Sequence, residues 1–169
     1  MQSRISRRHL LASSAMLVPG AAAANYVSST DGFAYEITRS RAEWIELLGE
    51  ASFLIMREGH TEVPKSSPHW DSLAPGSYAC KGCELPLYDA RWKVVLDKGW
   101  LFFRHGEANA LMMGVDWPEG SGSDARLADL TGIEVHCRRC GSHMGHIVLI
   151  ENKLLHCING ASMTFTATA

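Results

Sequence analysis

The stretch that decides the fold lies at residues 133–150 and reads IEVHCRRCGSHMGHIVLI. It opens with an apolar run, Ile133–Cys137, which ends in the first of two cysteines spaced by two residues. A second apolar run, His146–Ile150, follows a glycine. The order of run, turn and run predicts neighbouring β-strands joined through a cysteine knuckle.

Similar short apolar runs recur along most of the chain, with Gly-rich turns between them. The further runs are Tyr78–Cys80, Trp92–Leu96, Leu101–Phe103, Leu111–Val115, Leu154–Ile158 and Met163–Thr166. Their length and their breakers predict a mainly β fold, either an antiparallel sheet or a small barrel. The runs His146–Ile150 and Leu154–Ile158 are close enough in sequence to form a hairpin.

The segment before these runs has a different pattern. Ser40 and Glu43 have the spacing of a capping box, which predicts the start of a helical segment. Trp44, Leu47 and Leu48 behind them recur at helical spacing. Thr61–Pro75 is rich in proline and serine and is predicted to be an irregular surface connection.

Composition restricts the class of protein. The chain has 169 residues, of which 46% are hydrophobic and 20% charged, as expected of one folded domain rather than a disordered chain. Sixteen Lys and Arg residues stand against 18 Asp and Glu residues. This near balance gives no broad basic field, so we expect no nucleic-acid partner.

Five cysteines form two close pairs and one single residue. Cys80 and Cys83 make one CxxC pair, Cys137 and Cys140 make the other, and Gly82 and Gly141 offer the flexibility that a knuckle needs. Two such pairs favour a closed tetrahedral zinc site. Two disulfides, or a redox-active CxxC pair, are the alternatives.

The remaining cysteine, Cys157, lies close in sequence to His143 and His146. Histidines near a thiol can lower its pKa or carry protons, which suits a nucleophile. A single cysteine on a strand is as often a small buried apolar residue. His136 and His156 are expected to be ordinary strand residues.

Residues 1–24 are predicted to be a signal peptide. They contain the basic pair Arg7 and Arg8, an apolar stretch at Leu10–Val18 and an alanine run, and they resemble a twin-arginine signal. A disordered or amphipathic arm is the alternative. We therefore expect a leader segment at 25–40, a domain at 41–169, export to the periplasm and no membrane span after signal removal.

Several segments in order resemble the B-type peptide-methionine (R)-S-oxide reductase family. They are residues 57–64, 76–87, 99–100, 132–146 and 156–165, and the resemblance covers about residues 41–165. It implies a fold of two small antiparallel sheets, called a β-tent, with one structural zinc ion bound by the four paired cysteines. It also implies an enzyme of protein repair under oxidative stress, acting on methionine sulfoxide in peptides or proteins with a thioredoxin-like or small-thiol reductant.

The resemblance also implies roles for single residues. Cys157 matches the attacking cysteine, His143 and His146 match the active-site histidines, and Asn159 matches the polar residue after the nucleophile. Trp100 matches the aromatic residue that packs against the methyl group of the substrate. Attack by the Cys157 thiolate would leave a sulfenic acid, which an external thiol then reduces.

Three positions near the predicted site depart from the pattern of that family. Ile150 stands where an acid is usual, Leu155 where an arginine is usual, and Lys98 where a resolving cysteine is common. Loss of two charges makes the site more apolar, which raises the pKa of a thiol. The alternatives to an enzyme are a non-catalytic zinc-stabilised binding module on the same fold and a disulfide-stapled domain with one free thiol.

Overall fold

The computed structural model describes residues 33–115 and 132–168. Within these ranges two α-helices come first and β-strands follow. The elements are α1 (Arg41–Leu48), α2 (Glu50–Glu58), β1 (Gly76–Cys80), β2 (Pro86–Asp89), β3 (Lys93–Val94), β4 (Leu101–Phe103), β5 (Leu111–Val115), β6 (Ile133–Cys137), β7 (His143–Ile150), β8 (Lys153–Ile158) and β9 (Met163–Ala167). Single-turn 3-10 helices lie at Ala90–Trp92 and Gly160–Ser162.

The strands form two antiparallel sheets. The larger sheet has six strands in the order β3-β4-β8-β7-β6-β5, and the smaller has three in the order β2-β1-β9. The predicted hairpin is confirmed as β7 and β8, joined by Glu151 and Asn152, which both have positive φ. Two consecutive left-handed residues give a turn whose twist matches that of the strands.

Buried aromatic rings join the two sheets. Tyr88 of β2 stacks on Phe103 of β4 with ring centroids 4.3 Å apart, and Tyr78 of β1 meets the same ring at 5.2 Å. All three side chains are fully buried. Because these large rings are removed from water, they form a main part of the hydrophobic core, which lies between the two sheets.

The helices follow from the capping pattern and from two glycines. The Ser40 side chain accepts a hydrogen bond from the Glu43 amide, and the Glu43 carboxylate accepts from the Ser40 amide, so the predicted capping box is confirmed. Gly49 (φ 74°) ends α1 and Gly59 (φ 70°) ends α2. The helices bury Trp44 and Met56 among other apolar side chains of the core.

The predicted fold class, mainly β with two antiparallel sheets and an N-terminal helical segment, is confirmed. Several details differ, among them the bounds of three strands: β1 begins at Gly76, β8 begins at Lys153 and β9 extends to Ala167. Strand β2 was not predicted, because its four residues begin with proline. The run Trp92–Leu96 contributes only Lys93–Val94, and β7 begins at His143 rather than His146.

The predicted signal peptide at residues 1–24 lies outside the described residues, so the signal peptide stays a prediction. The division into a leader at 25–40 and a domain from residue 41 also stays a prediction. Among the described residues, the structure contains no helix of the length and apolarity needed to cross a membrane.

Candidate active site and four-cysteine centre

Each cysteine pair lies where a strand runs into a turn. Cys80 ends β1 and Cys137 ends β6, and the second member of each pair follows in the turn. In the second turn Gly141 has φ 67° and its amide donates to the Cys137 carbonyl at 2.8 Å, as expected of a knuckle glycine. In the first turn the left-handed residue is Glu84 rather than Gly82.

The two pairs meet although they are far apart in sequence. The four sulfur atoms all lie within 4.8 Å of one another. Cys80 Sγ lies 3.7 Å from Cys140 Sγ, and Cys83 Sγ lies 3.4 Å from Cys137 Sγ. Tetrahedral zinc with Zn–S bonds of about 2.3 Å holds its sulfurs about 3.8 Å apart, whereas a disulfide has an S–S bond of about 2.05 Å. All four cysteines are free, so their arrangement fits a tetrahedral metal ion better than two disulfides.

Three arginine side chains donate hydrogen bonds to backbone carbonyls of the turns that carry these cysteines. Arg57 donates to the Cys140 carbonyl at 3.0 Å, Arg139 to the Cys83 carbonyl at 3.1 Å and Arg39 to the Gly82 carbonyl at 3.4 Å. Four thiolates around a divalent cation carry excess negative charge, which these cations offset. Hydrogen bonds from neighbouring thiols, that of Cys137 first, also lower the pKa of Cys140.

Cys157 lies away from the four-cysteine centre, in the middle of the larger sheet. It is directly opposite His146 of β7 on one side and Phe102 of β4 on the other. Its side chain is half-buried. Burial, and secondarily the negative charge of Glu62, raise the pKa of the Cys157 thiol to about 12. The resting residue is therefore a thiol, as the apolar surroundings predicted.

A β-bulge in β7 brings the two predicted histidines together. His143 and His146 are three residues apart, and a regular strand would place them on opposite faces. The register between β6 and β7 shifts, so that Glu134 pairs with His146 while His136 pairs with His143. The two imidazole rings meet at 5.2 Å between centroids, edge to face. The extra residue of the bulge thus makes one cluster of both histidines.

This cluster also contains a buried carboxylate that was not predicted from the sequence. Glu134 of β6 accepts a hydrogen bond from His143 Nδ1 through Oε1, and His136 Nε2 lies 2.9 Å from its Oε2. Glu134, His136 and His143 are all buried. His136 lies on a strand as predicted, and whether it has a role in the site stays untested. The signal available in the sequence was an acid and a histidine two residues apart, which places both on one face of β6.

A second missed residue, Glu62, connects the other predicted site residues. Its amide donates to Asn159 Oδ1 at 3.0 Å, and its carbonyl accepts from Trp100 Nε1 at 3.2 Å. Its carboxylate accepts from the amides of Gly160 and Ala161 at 2.6 and 2.9 Å. Glu62 is buried, so the stretch Thr61–Pro75 is irregular but is not confined to the surface as predicted.

The three departures from the family pattern lie at different distances from the centre of the site. Leu155 is buried on β8, two residues before Cys157 and on the same face. Ile150 is at the far end of β7, opposite Lys153. Lys98 is exposed in the turn that precedes Gly99. Leu155 is thus the departure that makes the immediate surroundings of the thiol more apolar.

The fold and the site define a two-sheet β protein in which a four-cysteine centre and a separate cysteine–histidine cluster lie apart. The family model described as the SelR domain matches residues 48–167. The chain belongs to this family, and its assignment as an enzyme of the B-type methionine sulfoxide reductase family is confirmed.

Curated relatives cover nearly the same part of the chain. The peptide methionine sulfoxide reductase MsrB of Agrobacterium fabrum is 31% identical over 134 residues, covering 77% of this chain and 93% of that protein. The MsrB of Azotobacter vinelandii is 33% identical over 132 residues, covering 76% and 92%. Among solved structures, the Mis18 'Yippee-like' domain matches with a TM-score of 0.42 and 14% identity, covering 56% of this chain and 98% of that domain.

Proposed function

We propose that this protein reduces methionine-(R)-sulfoxide in peptides or proteins, with Cys157 as the attacking residue. Methionine sulfoxide reduction is the general activity of its family, as the names of the curated relatives state. The observation that carries the assignment to Cys157 is its position directly opposite His146, whose ring meets that of His143. A thiol opposite one member of an imidazole pair has the groups that nucleophilic attack and proton transfer require.

The reaction transfers one oxygen atom and two electrons. The Cys157 sulfur attacks the sulfoxide sulfur and forms a transient S–S bond. The oxygen then moves to Cys157 as a sulfenic acid, while this S–S bond and the S–O bond to the substrate break. The cysteine sulfur is oxidised by two electrons and the substrate sulfur is reduced to the thioether of methionine. The proton of the thiol reaches the oxygen through a histidine, so the overall step needs no other reactant.

The histidine pair is required because Cys157 rests as a thiol. With its pKa raised to about 12, only a very small fraction is thiolate near neutral pH. Attack must therefore be coupled to loss of the thiol proton when the substrate arrives. His146 lies opposite Cys157 on the adjacent strand and takes this proton, which the imidazole pair then passes to the sulfoxide oxygen.

Trp100 and Asn159 shape the substrate side of the site. The hydrogen bond from Trp100 Nε1 to the Glu62 carbonyl holds the half-buried indole in one orientation. Asn159 is held by Glu62 through its side-chain oxygen and by the Met144 carbonyl through its side-chain nitrogen. A fixed apolar ring selects the methyl group of the sulfoxide, and the side on which the proton donor stands selects the R epimer.

An external thiol returns Cys157 to its reduced form. Four of the five cysteines form the candidate metal site, and the fifth is Cys157 itself. No sixth cysteine is therefore present to resolve the sulfenic acid. One external thiol displaces water to form a mixed disulfide, and a second releases Cys157 and leaves as the external disulfide. A thioredoxin-like dithiol or a small thiol supplies both equivalents.

We also propose that the four-cysteine centre binds one zinc ion. Cys80, Cys83, Cys137 and Cys140 supply thiolate ligands, and the spacing of their sulfurs suits a tetrahedral ion. With all four positions taken by protein, the ion has a structural role and does not touch the substrate. It holds the ends of β1 and β6 together and so links the two sheets.

The decisive experiment is turnover of both sulfoxide epimers with dithiothreitol by the zinc-loaded protein and by Cys157→Ser. We expect turnover of the R epimer alone, abolished in the variant, with zinc content unchanged in both proteins. The raised pKa of Cys157 favours one other function, a non-catalytic zinc-stabilised module that binds peptides. Binding of a methionine-sulfoxide peptide without any turnover by the wild type would establish that alternative.

Export to the periplasm is part of the same proposal. The basic pair Arg7–Arg8 and the alanine run support a twin-arginine signal, which exports proteins after folding and would allow zinc to be bound first. Fractionation of cells that express the full chain tests this. A periplasmic product whose N-terminus follows the alanine run is expected, and replacement of both arginines by lysine should retain the uncut chain inside the cell.

A further inference from the structure

We propose that Glu134 is a positioning residue for the reaction: it holds the hydrogen of the neutral His143 ring on Nδ1 and fixes the orientation of the ring, so that Nε2 is the nitrogen that accepts and returns the transferred proton. The proposal rests on the reductase function proposed above. Glu134 acts on the reaction through His143.

The geometry of β6 and β7 places the carboxylate at the centre of the histidine cluster. Glu134 pairs with His146 across the strands, and His136 pairs with His143. One carboxylate oxygen accepts from His143 Nδ1 and the other lies 2.9 Å from His136 Nε2. Both oxygens of this buried carboxylate therefore contact imidazoles.

This contact decides which nitrogen of His143 exchanges protons. A carboxylate accepts a hydrogen bond and cannot donate one when ionised, so Nδ1 must carry its hydrogen. His143 Nε2 is buried and has no hydrogen-bond partner in the part of the chain that the structure describes. The His143 ring also meets the His146 ring, which is opposite Cys157. Nε2 is therefore the nitrogen left to take part in proton transfer within this cluster.

Glu134 keeps its charge despite being buried. Burial by itself raises its pKa, but the close contact with His136, the hydrogen bond from His143 and the charge interactions with both rings bring it down to about 2. The ionisable groups around His143 are thus Glu134 and His136 of β6 and His146 of β7, and among these the carboxylate is the anion. A negative charge at Nδ1 stabilises the imidazolium that forms when Nε2 receives a proton.

The anionic partner of His143 comes from β6 rather than from the hairpin of β7 and β8. Ile150 and Leu155 lie on β7 and β8 and supply no charge to the site. Within the described ranges, Glu134 is the carboxylate whose oxygen contacts an active-site imidazole. The hairpin of β7 and β8 supplies the nucleophile and the proton-transferring rings, and β6 supplies the charge that orients them.

The first test reads the tautomer directly in the wild type, without any substitution or assay of turnover. Nitrogen-15 NMR of the zinc-loaded, histidine-labelled protein should show His143 with hydrogen on Nδ1. In Glu134→Ala this preference should be lost. Ser162→Ala is a matched control, because Ser162 is buried and its hydroxyl donates to the His143 carbonyl at 3.2 Å rather than to the ring. The control should keep the Nδ1–H tautomer.

The second test separates charge from orientation. Glu134→Gln retains an oxygen that can accept from Nδ1 but removes the charge, and kcat should fall on the order of 100-fold with KM nearly unchanged. Glu134→Ala should lose more, and added formate should restore part of its kcat. Ser162→Ala should keep most of its kcat and gain nothing from formate.

A wild-type His143 with hydrogen on Nε2 would overturn the proposal, and so would a folded, zinc-loaded Glu134→Gln protein with wild-type kcat. Because the NMR measurement requires no activity, the tautomer can be confirmed even if the reductase function fails. If Cys157→Ser retains turnover, by contrast, it is the proposed function that fails.

Discussion

Gly145 lies so close to Cys157 that a side chain at position 145 would occupy the space of the Cys157 carbonyl. A Cβ atom built on Gly145 would lie 2.0 Å from that oxygen, and the residue has φ 152°. Gly145 is in the bulged part of β7, between His143 and His146. The glycine therefore permits both the bulge that unites the histidines and the close approach of β7 to β8.

Gly145→Ala should destabilise the protein by more than about 2 kcal/mol and abolish turnover, because either the clash or the loss of the bulge must separate β7 from β8. The measurement is urea unfolding of the zinc-loaded protein. Gly49→Ala is the matched control, since Gly49 also has positive φ (74°) but nothing lies within 4 Å of its Cβ. Because Gly49 has ψ 157°, a conformation almost confined to glycine, the control should cost about 1–3 kcal/mol of backbone strain but leave turnover intact. Loss of turnover in both variants would contradict this account of Gly145.

Cys157 should react slowly with alkylating agents at neutral pH. Burial and the charge of Glu62 raise its pKa to about 12, so alkylation by iodoacetamide near pH 7 should be on the order of 50-fold slower than that of a free cysteine. Peptide mass spectrometry over time follows Cys157 alone. Alkylation at the rate of free cysteine would show that the thiol is not desolvated.

Glu62→Gln should speed the alkylation of Cys157, because it removes the negative charge that disfavours the thiolate. The same change should lower stability, since the Gln amide nitrogen would face a backbone N–H of Gly160 or Ala161. Glu46→Gln, on the exposed face of α1, is the control and should change neither quantity. An unchanged alkylation rate in a folded Glu62→Gln protein would exclude the electrostatic effect.

The ionised Glu134 should contribute stability that acid removes. Its pKa in the folded protein is lowered to about 2 from an ordinary value of 4.5, so the contribution is present above about pH 4.5 and is lost as pH falls toward 2. The shift corresponds to at most about 3 kcal/mol. The free energy of unfolding of wild type should exceed that of Glu134→Gln at about pH 6, and the gap should narrow toward pH 3. A gap that does not change with pH, at matched zinc content, would contradict the prediction.

Residues 33–40 form a strap across the turn that carries Cys137 and Cys140. The Ile37 amide donates to the Arg139 carbonyl at 3.1 Å, Glu36 pairs with Arg138 at 2.6 Å, and the Tyr35 ring occupies the space beside Gly141. Tyr35→Ala should therefore loosen this turn and speed zinc release to a chelator about five-fold, as expected for a loss of about 1 kcal/mol of local packing. Phe33→Ala, which removes a more exposed neighbour of Tyr35, is the control and should release zinc at nearly the wild-type rate. Equal release from Tyr35→Ala and wild type would show that the strap does not protect the metal site.

Much of the fold follows from short-range patterns. The apolar runs predicted β4, β5 and β6 with their observed bounds, and the capping box predicted the start of α1. The missed strand, β2, has four residues and begins with Pro86, and its two buried residues, Leu87 and Tyr88, are neighbours rather than alternating. Its place beside β1 is decided by pairing and by the packing of Tyr88 on Phe103, which no local pattern reveals.

The candidate site, like the fold, has features that local sequence patterns predict and features that only tertiary contacts decide. The sequence by itself determined the chemistry that is available: two pairs of thiols for a metal, a separate thiol, two nearby histidines and an asparagine, because each signal lies within a few residues. The tertiary structure decided the partners. Glu134 and Glu62 reach the site from β6 and from an irregular segment, and His143 shares a face with His146 because of a bulge. Burial then decided the protonation states, since the same low-polarity surroundings keep Cys157 a thiol while two imidazoles keep Glu134 ionised.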